Sequence, residues 1–170
     1  TNSQCRRMPF VFAVGGSNIT ITGSGVIDAA GRYWWQNYHN RSIDPGVGRP
    51  HLMEIQSVTG LEITGVTLLD SGFWTLHPYN CKDVWIHDMS IQAPDYKAPG
   101  GGAPNGDGID VDSCQNVLIE HNDVSHTSVC MACACKFIQA ESRHTGRRTS
   151  LCSRLCRYNP PTLTLFRVAL

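Results

Sequence analysis

The chain repeats one short strand pattern four times, and this repeat limits the folds that it can adopt. The copies begin with Asn, Gly or Asp and continue with apolar side chains two residues apart; they lie at residues 18–23, 60–65, 83–88 and 116–121. A period of two with β-branched residues indicates strands that bury one face. The first apolar residues of the copies are separated by 42, 23 and 33 residues; they are Ile19, Leu61, Val84 and Val117.

Further short strands are predicted between these copies, at residues 52–56, 73–77 and 108–112. Each coil then holds about three strands, and repeats of about 20–30 residues without hairpins are typical of a parallel β-helix. The competing architecture is a sandwich, which requires tight hairpins; the Asn-Gly and Asp-Gly pairs at residues 105–108 offer one such turn. The repeat spacing favours an all-β fold, a right-handed parallel β-helix that is incomplete at its C-terminal end.

Two insertions explain the longer intervals between copies. The first is the aromatic stretch at residues 33–38, in which Trp34, Trp35 and Tyr38 are interpreted either as a cap over the first coil or as a surface that stacks on sugar rings. The second, at residues 93–104, is rich in Gly and Pro and is predicted to be a loop. The predicted core consists of inward-facing aliphatic residues, namely Ile19, Ile21, Ile63, Leu68, Ile86, Ile91, Val117 and Ile119.

Charge and cysteine content change abruptly near residue 125. Residues 1–125 contain 7 Lys/Arg and 13 Asp/Glu, whereas residues 126–170 contain 7 and 1, together with five of the eight cysteines. The sequence therefore predicts a partial β-helix over 1–125 and a Cys/Arg-rich tail over 126–170 that has no native fold. The composition of this tail is typical of translated non-coding or frame-shifted sequence. A zinc site in the tail is disfavoured, because Cys130 and Cys133 form its only Cys-x-x-Cys pair.

Three carboxylates and two glycines crowd into residues 105–114. Crowded carboxylates repel one another, so such a cluster indicates a bound cation, a hydrogen-bonded turn or acid–base chemistry. An EF-hand is disfavoured, because Asp107, Asp110 and Asp112 lack its spacing, central Gly and terminal Glu. Strand alternation sends Asp110 and Asp112 outward. Asp107 lies on the core side of the strand unless the register breaks at Gly108.

Several motifs occur in an order and spacing shared with one enzyme family. They lie at residues 23–28, 31–35, 49–52, 73–78 and 105–110. In these motifs the chain resembles the polygalacturonases, the pectin-cleaving enzymes of glycoside hydrolase family 28. Residues 105–110 are similar to the family's Asn-Thr-Asp-Gly-hydrophobic-Asp motif, with Gly in place of Thr. The resemblance implies a secreted protein that hydrolyses α-1,4 bonds between galacturonates with inversion.

The resemblance also implies roles for single residues. Asp107 matches the family's water-activating aspartate, and Asn105 beside it is a candidate for substrate binding. Asp110 and His77 are weaker candidates for contacts with the substrate. The residues alone favour a turn role before Gly108 for Asp107, and a buried, hydrogen-bonded histidine at His77. The expected partner is pectin or a related uronide polysaccharide.

Neither a cofactor nor a metal ion is expected, and neither nucleic acid nor a membrane is expected as a partner. No run of about 18 apolar residues occurs that could span a bilayer. No leader with a basic and then an apolar segment is visible at the N-terminus.

The sequence departs from the family pattern after residue 125. Alignment places Ser128 and Val129 where the family has an Asp pair that includes the general acid. The family's Gly-His-Gly and Arg-Ile-Lys motifs have no counterpart either. The chain as written is therefore predicted not to hydrolyse pectin. The alternative function is non-catalytic, that of a truncated β-helix that at most binds an acidic polysaccharide.

Overall fold

A computed structural model describes residues 7–37, 48–94, 102–125 and 138–141 of the chain. Within them, twelve short strands and one helix follow one another in a repeating order. The strands are β1 Val11–Val14, β2 Ser17–Thr22, β3 Val26–Asp28, β4 Met53–Gln56, β5 Thr59–Thr64, β6 Thr67–Leu69, β7 Leu76–Tyr79, β8 Lys82–His87, β9 Ser90–Gln92, β10 Gln115–Glu120, β11 Asp123–Ser125 and β12 Ile138–Glu141.

Each strand pairs in parallel with the equivalent strand of the next coil, and three sheets result. Their strand orders are β1-β4-β7, β2-β5-β8-β10-β12 and β3-β6-β9-β11. The predicted fold class, a right-handed parallel β-helix, is confirmed. The sheet of β2, β5, β8, β10 and β12, called the middle sheet below, explains the intervals between the sequence copies. Its strands pair so that the first apolar residue of each copy lies opposite that of the next; these residues are Ile19, Leu61, Val84 and Val117.

The residue that opens each sequence copy is a corner of the coil. All four corner residues have a positive φ, between 54° and 75°; they are Asn18, Gly60, Asp83 and Asn116. Gly has no Cβ to clash in this conformation, and Asn and Asp tolerate it best among other residues. The corners also stack on one another, since the Asn116 amide donates to Asp83 Oδ1 at 2.8 Å. The backbone conformation and hydrogen bonding of the corner residues therefore help to align each strand with the equivalent strand of the preceding coil.

One continuous apolar column fills the coils. Six of the predicted core residues are buried, and Ile19 and Ile21 in the first coil are partly buried against the same cluster. The buried six are Ile63, Leu68, Ile86, Ile91, Val117 and Ile119. Burying an aliphatic side chain of this size stabilises the fold by about 1.5–3 kcal/mol relative to leaving it exposed. The coils therefore hold together through their inward-facing side chains.

The strands predicted between the copies are shorter than expected. The predicted strand at 73–77 begins only at Leu76, and the one at 108–112 is reduced to two isolated bridges, from Leu76 to Ile109 and from Tyr79 to Asp112. In both places the chain bends before it can pair regularly.

The aromatic insertion forms helix α1, Arg32–Gln36. The Trp35 indole donates to the carbonyl of Ser71 at 2.9 Å, and a side chain at Gly31 would lie 2.5 Å from the carbonyl of Asp70. The helix is thus held against the turn that follows β6. Tyr38 lies outside the described residues, so both interpretations of the insertion remain predictions.

Strand β12 lies within the segment predicted to be an unfolded tail. It pairs in parallel with β10, from Val117 with Ile138 to Glu120 with Glu141. The remainder of residues 126–170 lies outside the described part of the chain, and the domain boundary at residue 125 stays a prediction. No helix in the described ranges is long and apolar enough to cross a membrane.

Candidate active site

A bend recurs at the same place in three successive coils and positions the candidate site. In regular parallel pairing, the amides that bond one neighbouring strand are two residues apart. Here two consecutive amides donate to two consecutive carbonyls. The donor–acceptor pairs are Phe10–His51, Val11–Leu52, Leu52–Trp74, Met53–Thr75, Thr75–Asp107 and Leu76–Gly108. The last two pairs form a break in register at Gly108, the condition under which Asp107 leaves the core side of its strand.

Asp107 is half-buried at this break. Its carbonyl accepts a hydrogen bond from the Thr75 amide at 2.8 Å, which ties it to the neighbouring coil. Burial raises the pKa of the Asp107 carboxyl above its ordinary value. A carboxylate with a raised pKa is a stronger base than one in water, so this position suits proton abstraction.

Asp110 is fully buried, with 0% of its surface exposed. The strand alternation was predicted correctly, since Ile109 and Val111 lie in the core, but the outward side of the strand is covered at Asp110. Neither carboxyl oxygen of Asp110 has a hydrogen-bond partner among the described residues. Burial, followed by the charge of Asp107, raises the pKa of Asp110 to about 9. At neutral pH this carboxyl is therefore protonated. The described residues around Asp110 cover it completely, so a substrate cannot reach it.

Asn105 is exposed, and its side chain is hydrogen-bonded to the buried Arg49. The Arg49 guanidinium donates to Asn105 Oδ1 at 2.7 Å, to the carbonyl of Gly72 at 2.9 Å and to the carbonyl of Pro104. Arg49 is only 6% exposed, so these bonds form away from solvent. Arg49 thus fixes the loop that leads to Asp107. The sequence analysis included Arg49 in a motif but missed this function, because the contact spans 55–56 residues of chain.

His77 lies beside Asp110 and faces a glutamate that the sequence analysis missed. Glu54 and His77 are paired in register between β4 and β7, and the bridges that flank Asp110 place it next in the same row. Glu54 accepts from His51 Nδ1 at 2.7 Å. Burial opposes ionisation of Glu54, but the hydrogen bond from His51, helped by the His77 ring whose Nδ1 lies 4.0 Å away, outweighs it and holds the pKa of Glu54 well below its usual range.

The signal that could have found Glu54 is its alternation in β4. It lies between Met53 and Ile55, which are buried in the core, and so must face the same side as His77. Asp110 and His77 are thus brought to one face of the sheet formed by β1, β4 and β7, and Asp107 is close enough for its charge to act on Asp110. Asn105 lies at the edge of this face.

This chain is similar to several known pectin-degrading enzymes. It is 33% identical over 128 residues to a "Probable polygalacturonase" of Vitis vinifera, a match that covers 75% of this chain and 24% of that protein. It is 31% identical over 116 residues to an "Exopolygalacturonase" of Zea mays, which covers 68% of this chain and 27% of that protein. The chain thus spans about a quarter of the length of these curated relatives.

A solved structure shares the fold. The crystal structure of a hyperthermoactive exopolygalacturonase from Thermotoga maritima superposes with a TM-score of 0.57 at 24% identity, over 81% of this chain and 35% of that one. The family model described as glycosyl hydrolases family 28 matches residues 3–143. With most of its length matched by that model, the chain belongs to glycosyl hydrolase family 28.

Proposed function

We propose that this chain carries part of the active site of a polygalacturonase that cleaves the α-1,4 bonds of pectin, and that Asp107 activates the attacking water. The observation that supports this most is the position of Asp107, which lies half-buried at the register break of a family 28 β-helix. The substrate class, pectin or a related uronide polysaccharide, follows from the family. Pectin lies outside the cell, so we propose an extracellular location.

The different environments of the two aspartates suit this chemistry. Asp107 reaches solvent and can accept a proton from a bound water, whereas Asp110 is buried and keeps its own proton at neutral pH. Of the two carboxyl groups, only that of Asp107 is therefore available to a bound water. Asn105 is exposed at the edge of the same face and is proposed to bind the substrate, with His77 as a supporting residue; Asp110 is fully buried and is not proposed to contact the substrate.

Inversion requires a second carboxyl group about 6.5–9.5 Å from the first, so that a water fits between them. In the family this partner follows the aspartate motif, where this sequence has Ser128 and Val129. Neither side chain is an acid near neutral pH. This favours a second candidate function for the chain as written, a non-catalytic β-helix that binds acidic polysaccharide.

A reducing-end assay on polygalacturonate tests the proposal. The 170-residue chain is compared with a longer version in which the family's Asp pair and Arg-Ile-Lys strand follow residue 125, each with and without Asp107→Asn. We expect no measurable hydrolysis by the 170-residue chain and no further loss on Asp107→Asn. We expect the longer version to be active and to lose about 10²–10⁴-fold in kcat on Asp107→Asn, the usual contribution of an acid or base.

Two results would contradict these expectations. An active longer version that is indifferent to Asp107→Asn would remove Asp107 from the mechanism. Turnover by the 170-residue chain that disappears in Asp107→Asn would show that the tail supplies the acid, with Glu141 as its only carboxylate side chain.

A further inference from the structure

A cluster of two histidines and a glutamate lies next to Asp110; one of its members, His77, is also proposed above as a supporting residue for substrate binding. In the described parts of the chain, this is the one group that brings three potential metal ligands within 4.8 Å of one another; its members are His51, Glu54 and His77. We infer that these three side chains bind a divalent first-row transition-metal ion, with Zn²⁺ as the reference ion. The sequence analysis expected no metal, because it considered only an EF-hand and the tail cysteines.

The distances within the cluster are close to those that a tetrahedral ion needs. Glu54 Oε2 lies 2.7 Å from His51 Nδ1 and 4.0 Å from His77 Nδ1. Zinc bonds of about 2.0–2.2 Å imply ligand atoms about 3.3 Å apart in a tetrahedral site. One separation must therefore open and the other close by roughly 0.6–0.7 Å. Side-chain torsions can supply shifts of this size without movement of the sheet.

The ligands are held in place by the fold before any ion binds. Glu54 and His77 project side by side from paired strands, because the register of β4 and β7 places them opposite each other. The His51 ring stacks on Trp74, with ring centroids 5.4 Å apart and planes inclined by 6°. The His77 ring meets the His51 ring edge-on, with centroids 4.9 Å apart. Ligand side chains that are already held in this way lose little side-chain entropy on binding an ion.

His77 gives a second, independent indication of a ligand. It is 8% exposed, and neither ring nitrogen has a hydrogen-bond partner among the described residues. Buried polar atoms are nearly always satisfied, so an unpaired buried imidazole needs an explanation. A hydrogen-bonded pair of Glu54 with His51 accounts for the 2.7 Å contact but leaves His77 unexplained. A metal ion shared by all three side chains accounts for both.

The donor set indicates which ions fit. Two imidazoles and one carboxylate suit zinc and its neighbours in the first transition row, whereas Ca²⁺ and Mg²⁺ prefer shells of oxygen atoms. Asp110 stands next to His77 in the row of the sheet and supplies a further carboxyl for the surroundings of the site. The inference does not depend on the proposed hydrolase activity, since its test is binding.

Metal binding by the whole 170-residue chain tests the inference. The chain is stripped with a chelator and titrated with Zn²⁺ by calorimetry, and with Co²⁺ as a spectroscopic probe, beside the variants Glu54→Gln and His77→Gln. His87→Gln is the matched control, since His87 also lies between two carboxylates, 3.3 Å from Glu62 and 2.8 Å from Asp88, yet forms no such cluster. Circular dichroism checks the fold of each variant.

We expect one Zn²⁺ site in the wild type and in His87→Gln that excess Mg²⁺ does not displace. We expect its affinity to fall at least about 100-fold in Glu54→Gln and His77→Gln, since loss of an outer-shell partner alone costs 10–100-fold. Co²⁺ at this site should lack the thiolate charge-transfer band that the tail cysteines would give. A thiolate-only Co²⁺ spectrum, no binding, or equal affinity in all four proteins would overturn the inference. The wild-type spectrum decides the matter even where a variant fails to fold.

Discussion

Side chains in the middle sheet and side chains at the recurring bend of this β-helix lie in different environments. In the middle sheet the register is unbroken, and Ile63, Ile86 and Ile119 of neighbouring strands stack in the core. The alternate residues along each of these strands face outward. At the bend, two consecutive amides bond the next coil, and the side chain of Asp107 is only half-buried. A regular strand offers an inside and an outside. An irregular one adds an intermediate environment, and there a carboxyl can have a raised pKa and still reach solvent.

Removing a core contact in the middle sheet should have the largest effect. Ile86→Ala deletes a fully buried side chain between two others in register, so we expect a loss of about 2–5 kcal/mol in the free energy of unfolding. Val26→Ala is the matched control, because Val26 is 61% exposed and its truncation should cost little. Urea unfolding followed by circular dichroism measures both. Equal losses would mean that the middle sheet does not carry the stability of the coils.

Replacing the buried carboxyl of Asp110 near the bend should have the next largest effect on stability, and this effect should be stabilising. The folded-state pKa of Asp110 is about 9, above its ordinary value of 3.8, so the folded chain binds the proton more tightly than the unfolded chain. Stability is then highest below about pH 4 and declines as the pH rises through the interval up to about 9. Asp110→Asn keeps the shape without the charge.

We therefore expect Asp110→Asn to stabilise the metal-free chain at pH 8 by on the order of a few kcal/mol, because the wild type must take up a proton to bury this carboxyl and the neutral amide need not. At pH 4 the difference should shrink towards zero. Asp112→Asn is the control, because Asp112 is only partly buried and accepts from the Ser113 hydroxyl at 2.8 Å. Thermal melts across this pH range measure the effect. A variant that is less stable than the wild type at pH 8 would show that Asp110 is paired.

The smallest effect is expected at the corners that keep the middle sheet in register. Asn116 has φ 54°, so Asn116→Ala should cost about 1 kcal/mol through strain in the left-handed region. Asn116→Gly relieves that strain and should stay within a few tenths of a kcal/mol of the wild type, apart from the lost bond to Asp83. Chemical denaturation of the two variants measures the difference. If alanine and glycine behave alike, corner conformation does not limit the register.

The sequence predicted the regular region better than the irregular one, and the reason is physical. A period of two and the spacing of Ile19, Leu61, Val84 and Val117 fix the faces and the register of regular strands, because every residue obeys the same alternation. The bend obeys no such period. Alternation correctly put Asp110 on the outer side of its strand, but it carries no information on what covers that side.

The contacts missed from the sequence join residues that are distant along the chain. Arg49 binds Asn105 across 56 residues, and Glu54 meets His77 only because β4 and β7 are paired. Once the register of the middle sheet is known, the second contact follows by counting along the coil. The first does not, since it depends on the path of an insertion.

The register break at Gly108 gives Asp107 and Asp110 different environments although they are only three residues apart. Carboxyl ¹³C NMR titration of the metal-free chain tests this most directly, with Asp107→Asn and Asp110→Asn used for assignment. We expect a pKa of about 9 for Asp110, which should fall on Asp107→Asn because a neighbouring negative charge is removed, and a raised pKa for Asp107. Two aspartates that titrate independently in the ordinary range would contradict it.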